Sequence, residues 1–466
     1  MIDKLKRAAK RTMSNVVLSW SEELAKLTFE RGVHLDYSNK NATKALPVRE
    51  LNTDEVRLIM SMHIGAPSTP CVQKGDYVKL GQVIGEPVGF LGIPVHASVS
   101  GEVTEVGTIP YLGAAPVMCV TIKNDFKDEW TELNPLGDVE TVDPALIVPA
   151  IKNAGICGMG GASFPTHVKL SLKPEQRCDV VIVNGAECET HLTCDHRLMV
   201  ENSSRIVDGL RAVMRALNVE KGVICIEDNK PDAIQALRVA SAYRRGVSVQ
   251  VLKTKYPQGG EKQLIEAVTG KQVPAGKLPI DVNAVVVNVG TCAAIADAII
   301  EGKPVISRIC TVTGCVREPA NLRIRIGTSC EAIIGACGGY SEEPGKIVYG
   351  GGMTGMCIPN TDVPTAKSTG GIVVYNESDA RSIDEGPCIR CGKCVAACPI
   401  GLNPFLIKRA ADADKLEEAQ RLSVNDCILC GCCSYECPSR RWLTASFKIV
   451  KQKLAAQAKA KGGNAK

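Results

Sequence analysis

Two cysteine runs near the carboxyl end of the chain constrain its fold more than any other feature. Each run has the form C-x2-C-x2-C-x3-C-P, and the runs start at Cys388 and Cys427. Three thiolates in so tight a loop can bind three corners of a cubane cluster, and the fourth reaches the cluster of the opposite run. The spacing therefore predicts two [4Fe–4S] clusters with crossed ligand sets. One set is Cys388, Cys391, Cys394 and Cys437, and the other is Cys427, Cys430, Cys433 and Cys398.

Zinc is the alternative metal for these cysteines. Zinc sites usually pair two C-x2–4-C hairpins and do not use a 3+1 pattern twice, so the spacing favours iron–sulfur clusters. Cys432 adjoins a ligand but is out of register, and we interpret it as a bystander. A chain of 466 residues is too long to need disulfide staples, so its 22 cysteines indicate a reducing compartment.

Charge is concentrated at the two ends. Residues 1–12 carry five Lys/Arg against one Asp, and residues 447–466 carry six Lys and no acidic residue. These ends either contact anionic lipid or an acidic partner or stay solvated. An aromatic content of 4% argues against nucleic-acid binding.

No stretch of the sequence reaches the ~18 consecutive apolar residues of a membrane span. The basic start lacks the apolar core of a signal peptide. We therefore expect a cytoplasmic protein with peripheral membrane contact at most.

The changing residue patterns along the sequence predict a multidomain α/β protein. Residues 2–17 place apolar side chains at helical spacing, which indicates an amphipathic helix or a frayed terminus. The β-rich part resembles biotinyl/lipoyl barrel-sandwich domains, but its central turn reads HASVSG without the lysine of a carrier, so a structural role is favoured. The expected divisions are 1–27 (N-terminal extension), 28–135 (barrel-sandwich domain), 136–305 (α/β domain), 306–378 (β-grasp-like module), 379–445 (helical two-cluster domain) and 446–466 (basic tail).

Alternation of strands and helices in the α/β domain predicts a largely parallel sheet, and ligands of such sheets lie beyond the carboxyl ends of the strands. The predicted strands are Val180–Val183, Val223–Ile226, Val247–Leu252 and Ala284–Val289, and the predicted helices include Ser203–Leu217 and Pro231–Tyr243.

A glycine-rich segment at residues 155–169 is the second candidate site. Glycines let a backbone approach a phosphate closely, although such loops are often simple turns. Polar residues after the next strand could hydrogen-bond a ribityl chain or a flavin edge, and segments 256–261 and 288–291 lie where a nucleotide cleft would close. We interpret the six histidines as packing or capping residues and the glycine run at 350–355 as backbone packing.

Several longer motifs together resemble the C subunit of the Rnf ion-translocating electron-transport complexes. They are HIGAPSTPCVQKGDYVKLGQ, GMGGASFPTHVKL, VNGAECETHLTCDHRLM, YPQGGEKQLI, NVGTCAAIADAI and the doubled cluster motif. The resemblance extends from about Thr28 to Pro438, and the α/β part is also similar to the flavoprotein subunit of respiratory complex I. It implies a barrel-sandwich domain, a Rossmann-like FMN/NADH domain, a β-grasp SLBB-like module and a ferredoxin-like domain with two [4Fe–4S] clusters.

The resemblance also implies site residues. The FMN phosphate or ring would be contacted by Gly158, Gly160, Gly161 and Lys169. The flavin and nicotinamide would be lined by Asn184, Glu187 and Glu189. The site would be closed by Glu261, Asn288 and Thr291. Glu187 and Glu189 are the implied catalytic residues. Met159 departs from the pattern, because complex I subunits usually have Arg there.

The implied function is that of a subunit of a ferredoxin:NAD oxidoreductase on the cytoplasmic face of the cell membrane. Non-covalent FMN would exchange hydride with NAD(H) and single electrons with the two clusters, and the complex would move Na⁺ or H⁺. Implied partners are integral membrane subunits, an iron–sulfur B-type subunit and, indirectly, ferredoxin. Two alternatives remain: a cobalamin reductase of a microcompartment, and an electron-carrier or scaffold subunit whose α/β domain is vestigial.

Overall fold

The computed structural model describes residues 27–35, 39–113 and 115–463. The amphipathic helix expected at residues 2–17 lies outside these residues. Along the described part the chain forms a β-rich module, a parallel α/β module, a mixed β module and a helical module, in that order. Over the same residues, no helix is both long and apolar enough to cross a membrane.

Short strands joined at glycine turns build the first module. Their bounds are β1 Arg49–Glu50, β2 Glu55–Ile59, β3 Thr69–Pro70, β4 Tyr77–Val78, β5 Val83–Glu86, β6 Val95–His96, β7 Gly101–Ile109 and β8 Val117–Asn124. A four-stranded sheet has the order β2-β8-β7-β4, and a three-stranded sheet has the order β3-β5-β6. A Cβ on Gly101 would lie 1.9 Å from the carbonyl oxygen of Lys123, so the pairing of β7 with β8 requires glycine there.

The second module has helices on both faces of a parallel sheet. Its elements are α1 Pro144–Asn153, α2 Thr166–Leu170, β9 Val180–Gly185, α3 Cys194–Glu201, α4 Ser203–Ala216, β10 Gly222–Glu227, α5 Pro231–Ser241, β11 Val247–Leu252, α6 Glu261–Thr269, β12 Ala284–Asn288 and α7 Val289–Ile300. The strand order is β11-β10-β9-β12, and every pair is parallel. The predicted strands and helices are confirmed, with ends that differ by at most two residues.

Alternating burial explains why both faces of this sheet are covered. Val181 and Val183 of β9 join the core under α4 and α7, whereas Ile182 joins the core formed with Leu264 of α6. Strand β12 pairs with β9 so that Asn288 is the register partner of Asn184. Two polar side chains therefore meet at the carboxyl edge of the sheet, where parallel sheets place their ligands.

The third module is a mixed sheet covered by one helix. Its elements are β13 Ser307–Gly314, β14 Ala320–Arg325, α8 Cys330–Ala336, β15 Pro344–Tyr349, β16 Met356–Cys357 and β17 Gly371–Asn376. The sheet has the order β1-β14-β13-β17-β15-β16, so β1 at the start of the first module adds a parallel strand to its edge. Besides β13 and β14, the strands β15, β16, β17 and the added β1 complete this six-stranded sheet.

The last module is helical and internally similar in its two halves. Its helices are α9 Glu377–Ala380, α10 Lys393–Ala396, α11 Pro404–Asp412, α12 Leu416–Arg421, α13 Cys432–Tyr435 and α14 Leu443–Gly463. Gly392 and Gly431 adopt positive φ angles of +79° and +87°, directly before α10 and α13. Each glycine thus reverses the chain after the second cysteine of a run and starts the short helix that carries the third.

Candidate redox site

The eight predicted cluster ligands lie around two separate cavities of the helical module. The first cavity, of about 260 Å³, is lined by Cys388, Cys391, Cys394 and Cys437. The second is lined by Cys398, Cys427, Cys430 and Cys433. Each cavity therefore collects three cysteines of one run and the fourth of the other, which is the crossed arrangement that the spacing predicts. Four thiol donors around one cavity suit a cubane cluster.

Backbone N–H groups donate hydrogen bonds to two sulfur atoms of the second set. The backbone N–H of Leu402 donates to Cys398 Sγ at 3.3 Å, and that of Leu429 donates to Cys427 Sγ at 3.4 Å. Donors of this kind stabilise negative charge on cluster ligands. Cys432 also borders the second cavity and is fully buried, with its thiol 3.9 Å from the carbonyl oxygen of Tyr256.

A third cavity, of about 520 Å³, lies at the carboxyl edge of the parallel sheet. This volume is typical of ligand pockets. Nine of the ten residues expected to contact FMN or NAD(H) line it: Gly158, Gly160, Gly161, Lys169, Asn184, Glu189, Glu261, Asn288 and Thr291. The buried Gln263 also lines it, and its Oε1 has no hydrogen-bond partner among the described residues. Exposed glycine backbone and an unpaired buried acceptor suit a polar nucleotide such as FMN.

The glycine-rich loop lies against the start of α7. The backbone N–H of Met159 donates to Thr291 Oγ1 at 3.0 Å. A Cβ on Gly160 would lie 2.5 Å from Asn288 Nδ2, whereas a Cβ on Gly161 would meet no atom within 4 Å. Gly160 therefore permits close packing, and Gly161 leaves open space in the cavity.

Lys169 supplies positive charge to the cavity wall. Its ammonium group lies 2.8 Å from Glu261 Oε1 and donates to the carbonyl oxygen of Val286 at 2.9 Å. Asn184 is fixed by donating to the carbonyl oxygen of Gly259 at 2.8 Å. Asn288 donates to Asp195 Oδ2 at 2.7 Å and accepts from the backbone N–H of Gly290 at 2.8 Å. These side chains are therefore held in position by the protein itself.

Glu187 does not line the cavity, contrary to the expectation that it contacts flavin and nicotinamide. Its carboxylate accepts from the backbone N–H groups of Asp195 at 2.7 Å and His196 at 3.2 Å, at the start of α3. Burial raises the pKa of Glu187 to about 7, although Lys40, 3.9 Å away, favours the charged form. Helix α3 also carries Asp195, the partner of Asn288, so Glu187 supports the cavity wall from behind.

Glu189 lies on the cavity wall and binds the glycine run at 350–355. It accepts from the backbone N–H of Met353 at 3.0 Å and from the hydroxyl of Thr354, which also lines the cavity. A Cβ on Gly351 would lie 2.3 Å from Glu189 Oε2, so glycine is required for this approach. The sequence interpretation of this run as backbone packing missed its contribution to the cavity, and the density of glycines was the signal that could have revealed it.

The wall of the third cavity also includes one cysteine of the second set. Cys430 and Ile428 both line it. Tyr256, another lining residue, donates its hydroxyl to the carbonyl oxygen of Cys430 at 2.8 Å and lies 3.5 Å from Glu189 Oε1. Sequence spacing could not reveal that a cysteine of the second set reaches this cavity, because the contact joins residues 174 positions apart in sequence.

Four family models match the chain in the order of these modules. They are the RnfC barrel sandwich hybrid domain over residues 27–127, the Nuo51 FMN-binding domain over 151–297, the SLBB domain over 309–356 and the 4Fe-4S dicluster domain over 380–438. Together with the cavities, these matches define an oxidoreductase subunit that carries FMN and two iron–sulfur clusters.

Curated relatives match most of the chain. The C subunit of the Na⁺-translocating ferredoxin:NAD⁺ oxidoreductase complex of Acetobacterium woodii is 45% identical over 92% of this chain and 98% of its own length. The C subunit of the proton-translocating complex of Clostridium ljungdahlii is 45% identical over 84% of this chain and 86% of its own. The C subunit of the ion-translocating oxidoreductase complex of Rhodobacter capsulatus is 40% identical over 93% and 84%. The chain belongs to the family of C subunits of Rnf ion-translocating oxidoreductase complexes.

A more distant likeness is found among solved structures. The NAD⁺-reducing [NiFe]-hydrogenase in its H₂-reduced state aligns with a TM-score of 0.47 and 18% identity, over 71% of this chain and 69% of that chain. The match to the RnfC barrel-sandwich model and to the curated relatives favours the Rnf family over the cobalamin-reductase alternative.

Proposed function

We propose that this chain passes electrons between NAD(H) and a membrane-bound electron-transport chain, through FMN and then the two clusters in series. This proposal is supported above all by the position of Cys430, a cysteine of the second set, on the wall of the FMN cavity. The cluster held with Cys430 is then the first acceptor. The cluster held by the exposed Cys388 and Cys391 is the outer one.

The residues around the FMN cavity have distinct parts in this proposal. When bound, FMN exchanges hydride with NAD(H) and single electrons with iron–sulfur clusters. The open backbone of Gly158, Gly160 and Gly161 together with the charge of Lys169 binds the phosphate. Asn184, Asn288 and Thr291 form hydrogen bonds with the remaining polar parts of the cofactor. The carboxylate of Glu261, 2.8 Å from the ammonium group of Lys169, limits the positive charge of that lysine.

The two glutamates after β9 act differently. Glu189, on the cavity wall, orients the nicotinamide ring and holds the loop at 350–355 over the cavity, which keeps water from the reacting atoms. Glu187 is a positioning residue, because its carboxylate contacts the start of α3 and lies off the wall. Electron transfer at this site thus depends on Glu189 directly and on Glu187 through Asp195 and Asn288.

The names of the relatives support a wider setting for this role. Relatives are named as subunits of complexes that translocate Na⁺ or protons and join ferredoxin to NAD⁺. We extend the same role to this chain: it sits on the cytoplasmic face, contacts integral membrane subunits and an iron–sulfur B-type subunit, and receives electrons that originate in ferredoxin. The coupling ion is carried by the other subunits.

The test is cofactor analysis with an activity assay on the isolated chain. Anaerobically purified protein is expected to contain about eight irons and stoichiometric non-covalent FMN, and to oxidise NADH with ferricyanide. Protein that retains its iron but binds no flavin would support the electron-carrier or scaffold alternative instead. Stoichiometric zinc with little iron would refute the cluster assignment.

A further inference from the structure

The surface around the first cysteine set is basic and partly apolar. Cys388 and Cys391 of this set are exposed. Around them lie exposed side chains that we call the outer rim: Ile389, Arg390, Lys393, Arg409, Arg440 and Trp442. Most of these residues border the cavity of the first set or the adjoining surface groove. The rim therefore surrounds the point at which electrons would leave or enter the chain.

The charges of the outer rim are not used by the fold. Two inner cations beside the same cavity are paired: Lys408 with Asp412 at 2.6 Å, and Arg441 with Asp412 at 2.7 Å. Lys408 also lies 3.4 Å from Glu385. By contrast, none of the four rim cations, Arg390, Lys393, Arg409 and Arg440, has an ion pair within the described part of the chain. The rim thus presents uncompensated positive charge.

Two large apolar side chains lie within this positive surface. Trp442 is 53% exposed and Ile389 is 65% exposed, and Ile389 lies between Cys388 and the rim residue Arg390. Protein interfaces commonly combine an aromatic or Arg anchor with a charged periphery that steers the partner. An anionic lipid surface would also attract the cations, but a lipid surface offers no electron acceptor to the exposed cysteine set.

We propose that the outer rim is the docking surface for an acidic iron–sulfur protein that exchanges single electrons with the cluster of the first set. This inference rests on the proposed function. The partner's acidic groups pair with Arg390, Lys393, Arg409 and Arg440, while Ile389 and Trp442 exclude water from the contact. One electron moves per encounter: the partner's cluster is oxidised and the cluster of the first set is reduced, or the reverse.

The test is a rapid-mixing experiment on the full chain with both clusters and FMN bound. A purified, dithionite-reduced acidic [4Fe–4S] ferredoxin serves as the probe, and its oxidation by the chain is followed optically. The variant Arg390→Glu/Arg440→Glu is expected to lower the second-order rate at least about tenfold at low salt. High salt should bring the wild-type rate close to that of the variant, because screening removes the same attraction.

A matched control reverses two exposed lysines of the barrel-sandwich domain, Lys74→Glu/Lys123→Glu, and should retain the wild-type rate. NADH-dependent flavin reduction, measured in the same variants, reports the proposed function separately and should be unchanged in all of them. Equal ferredoxin rates in the rim variant, the control and the wild type would overturn the docking proposal. A rim variant that keeps the wild-type ferredoxin rate but loses binding to phosphatidylserine vesicles would also overturn the docking proposal.

Discussion

Two acidic side chains that are two positions apart in sequence have opposite surroundings. Glu187 adopts a positive φ of +47° and points its carboxylate at the first N–H groups of α3, where a helix start favours negative charge. Glu189 points into the cavity and accepts from the 350–355 loop. A motif match treats both as site residues, whereas only Glu189 lies on the wall of the cavity.

Substitution of each glutamate by glutamine separates these roles. Glu189→Gln loses acceptor capacity toward Met353 and Thr354, so we expect NADH oxidation to fall by roughly tenfold or more, which corresponds to about 1.4 kcal/mol in the barrier, with both clusters retained. Glu187→Gln is expected to weaken FMN retention and to alter turnover per bound flavin less. Assays of flavin content and turnover per flavin check this. Equal turnover per flavin in both variants would contradict the assignment.

At the scale of elements, two helices of the α/β module cross at a glycine. A Cβ on Gly209 of α4 would lie 1.8 Å from the carbonyl oxygen of Cys292 in α7. Helix α7 begins at the Asn288 cap and contributes Thr291 to the FMN cavity, so the crossing fixes the position of part of that wall. The spacing of the cavity therefore depends on a residue with no side chain, well inside a helix.

Alanine at this crossing should be costly. We expect Gly209→Ala to destabilise the chain by about 1–3 kcal/mol through overpacking and to reduce the FMN content of the purified protein. Gly335→Ala in α8 is the matched control, because a Cβ there meets no atom within 4 Å. Thermal unfolding and flavin content of both variants provide the measurement. A Gly209→Ala protein as stable and as flavin-loaded as the control would refute this packing argument.

A buried histidine in β6 connects stability to pH. Burial and, secondarily, the charge of Lys367 lower the pKa of His96 from 6.5 to about 3. The unfolded chain binds a proton below pH 6.5 that the folded chain excludes, so this contribution to stability is complete above pH 6.5 and is lost as the pH falls toward 3.

Removing this imidazole should flatten the acid limb of the stability profile. His96→Gln is expected to reduce the loss of stability on acidification by up to about 1.4 kcal/mol per pH unit below pH 6.5. Unfolding temperatures from about pH 7.5 to about pH 5, compared with the exposed-residue variant His34→Gln, test this. An acid limb as steep as that of the wild type would show that His96 does not exclude the proton.

The regular parts of the α/β and helical modules are predictable from the sequence, because local patterns determine them. Apolar alternation locates β9 to β12, and cysteine spacing alone assigns Cys398 of the first run to the second ligand set. Contacts between distant segments are not predictable in this way. Thr354 reaches the cavity only because Gly351 allows close approach to Glu189, and the orientation of Glu187 depends on where α3 begins.

At the scale of the whole molecule, the proposed route for electrons passes through two of the modules in turn. The α/β module supplies the FMN cavity, Cys430 links this cavity to the second cysteine set, and the exposed first set lies at the outer rim. Tyr256 joins the two modules through its hydrogen bond to Cys430. The proposed order of electron carriers is therefore FMN, then the cluster of the second set, then the cluster of the first set.

Rapid reduction by NADH of two single-cluster variants tests this order most directly. Cys437→Ala removes a ligand of the first set, and Cys398→Ala removes a ligand of the second. After mixing with NADH and freeze-quenching, EPR spectra of the Cys437→Ala protein should show its remaining cluster reduced as fast as in the wild type. The Cys398→Ala protein should reduce its flavin at the normal rate while its remaining cluster stays oxidised on that timescale. Fast reduction of the remaining cluster in Cys398→Ala, together with slow reduction in Cys437→Ala, would contradict the order.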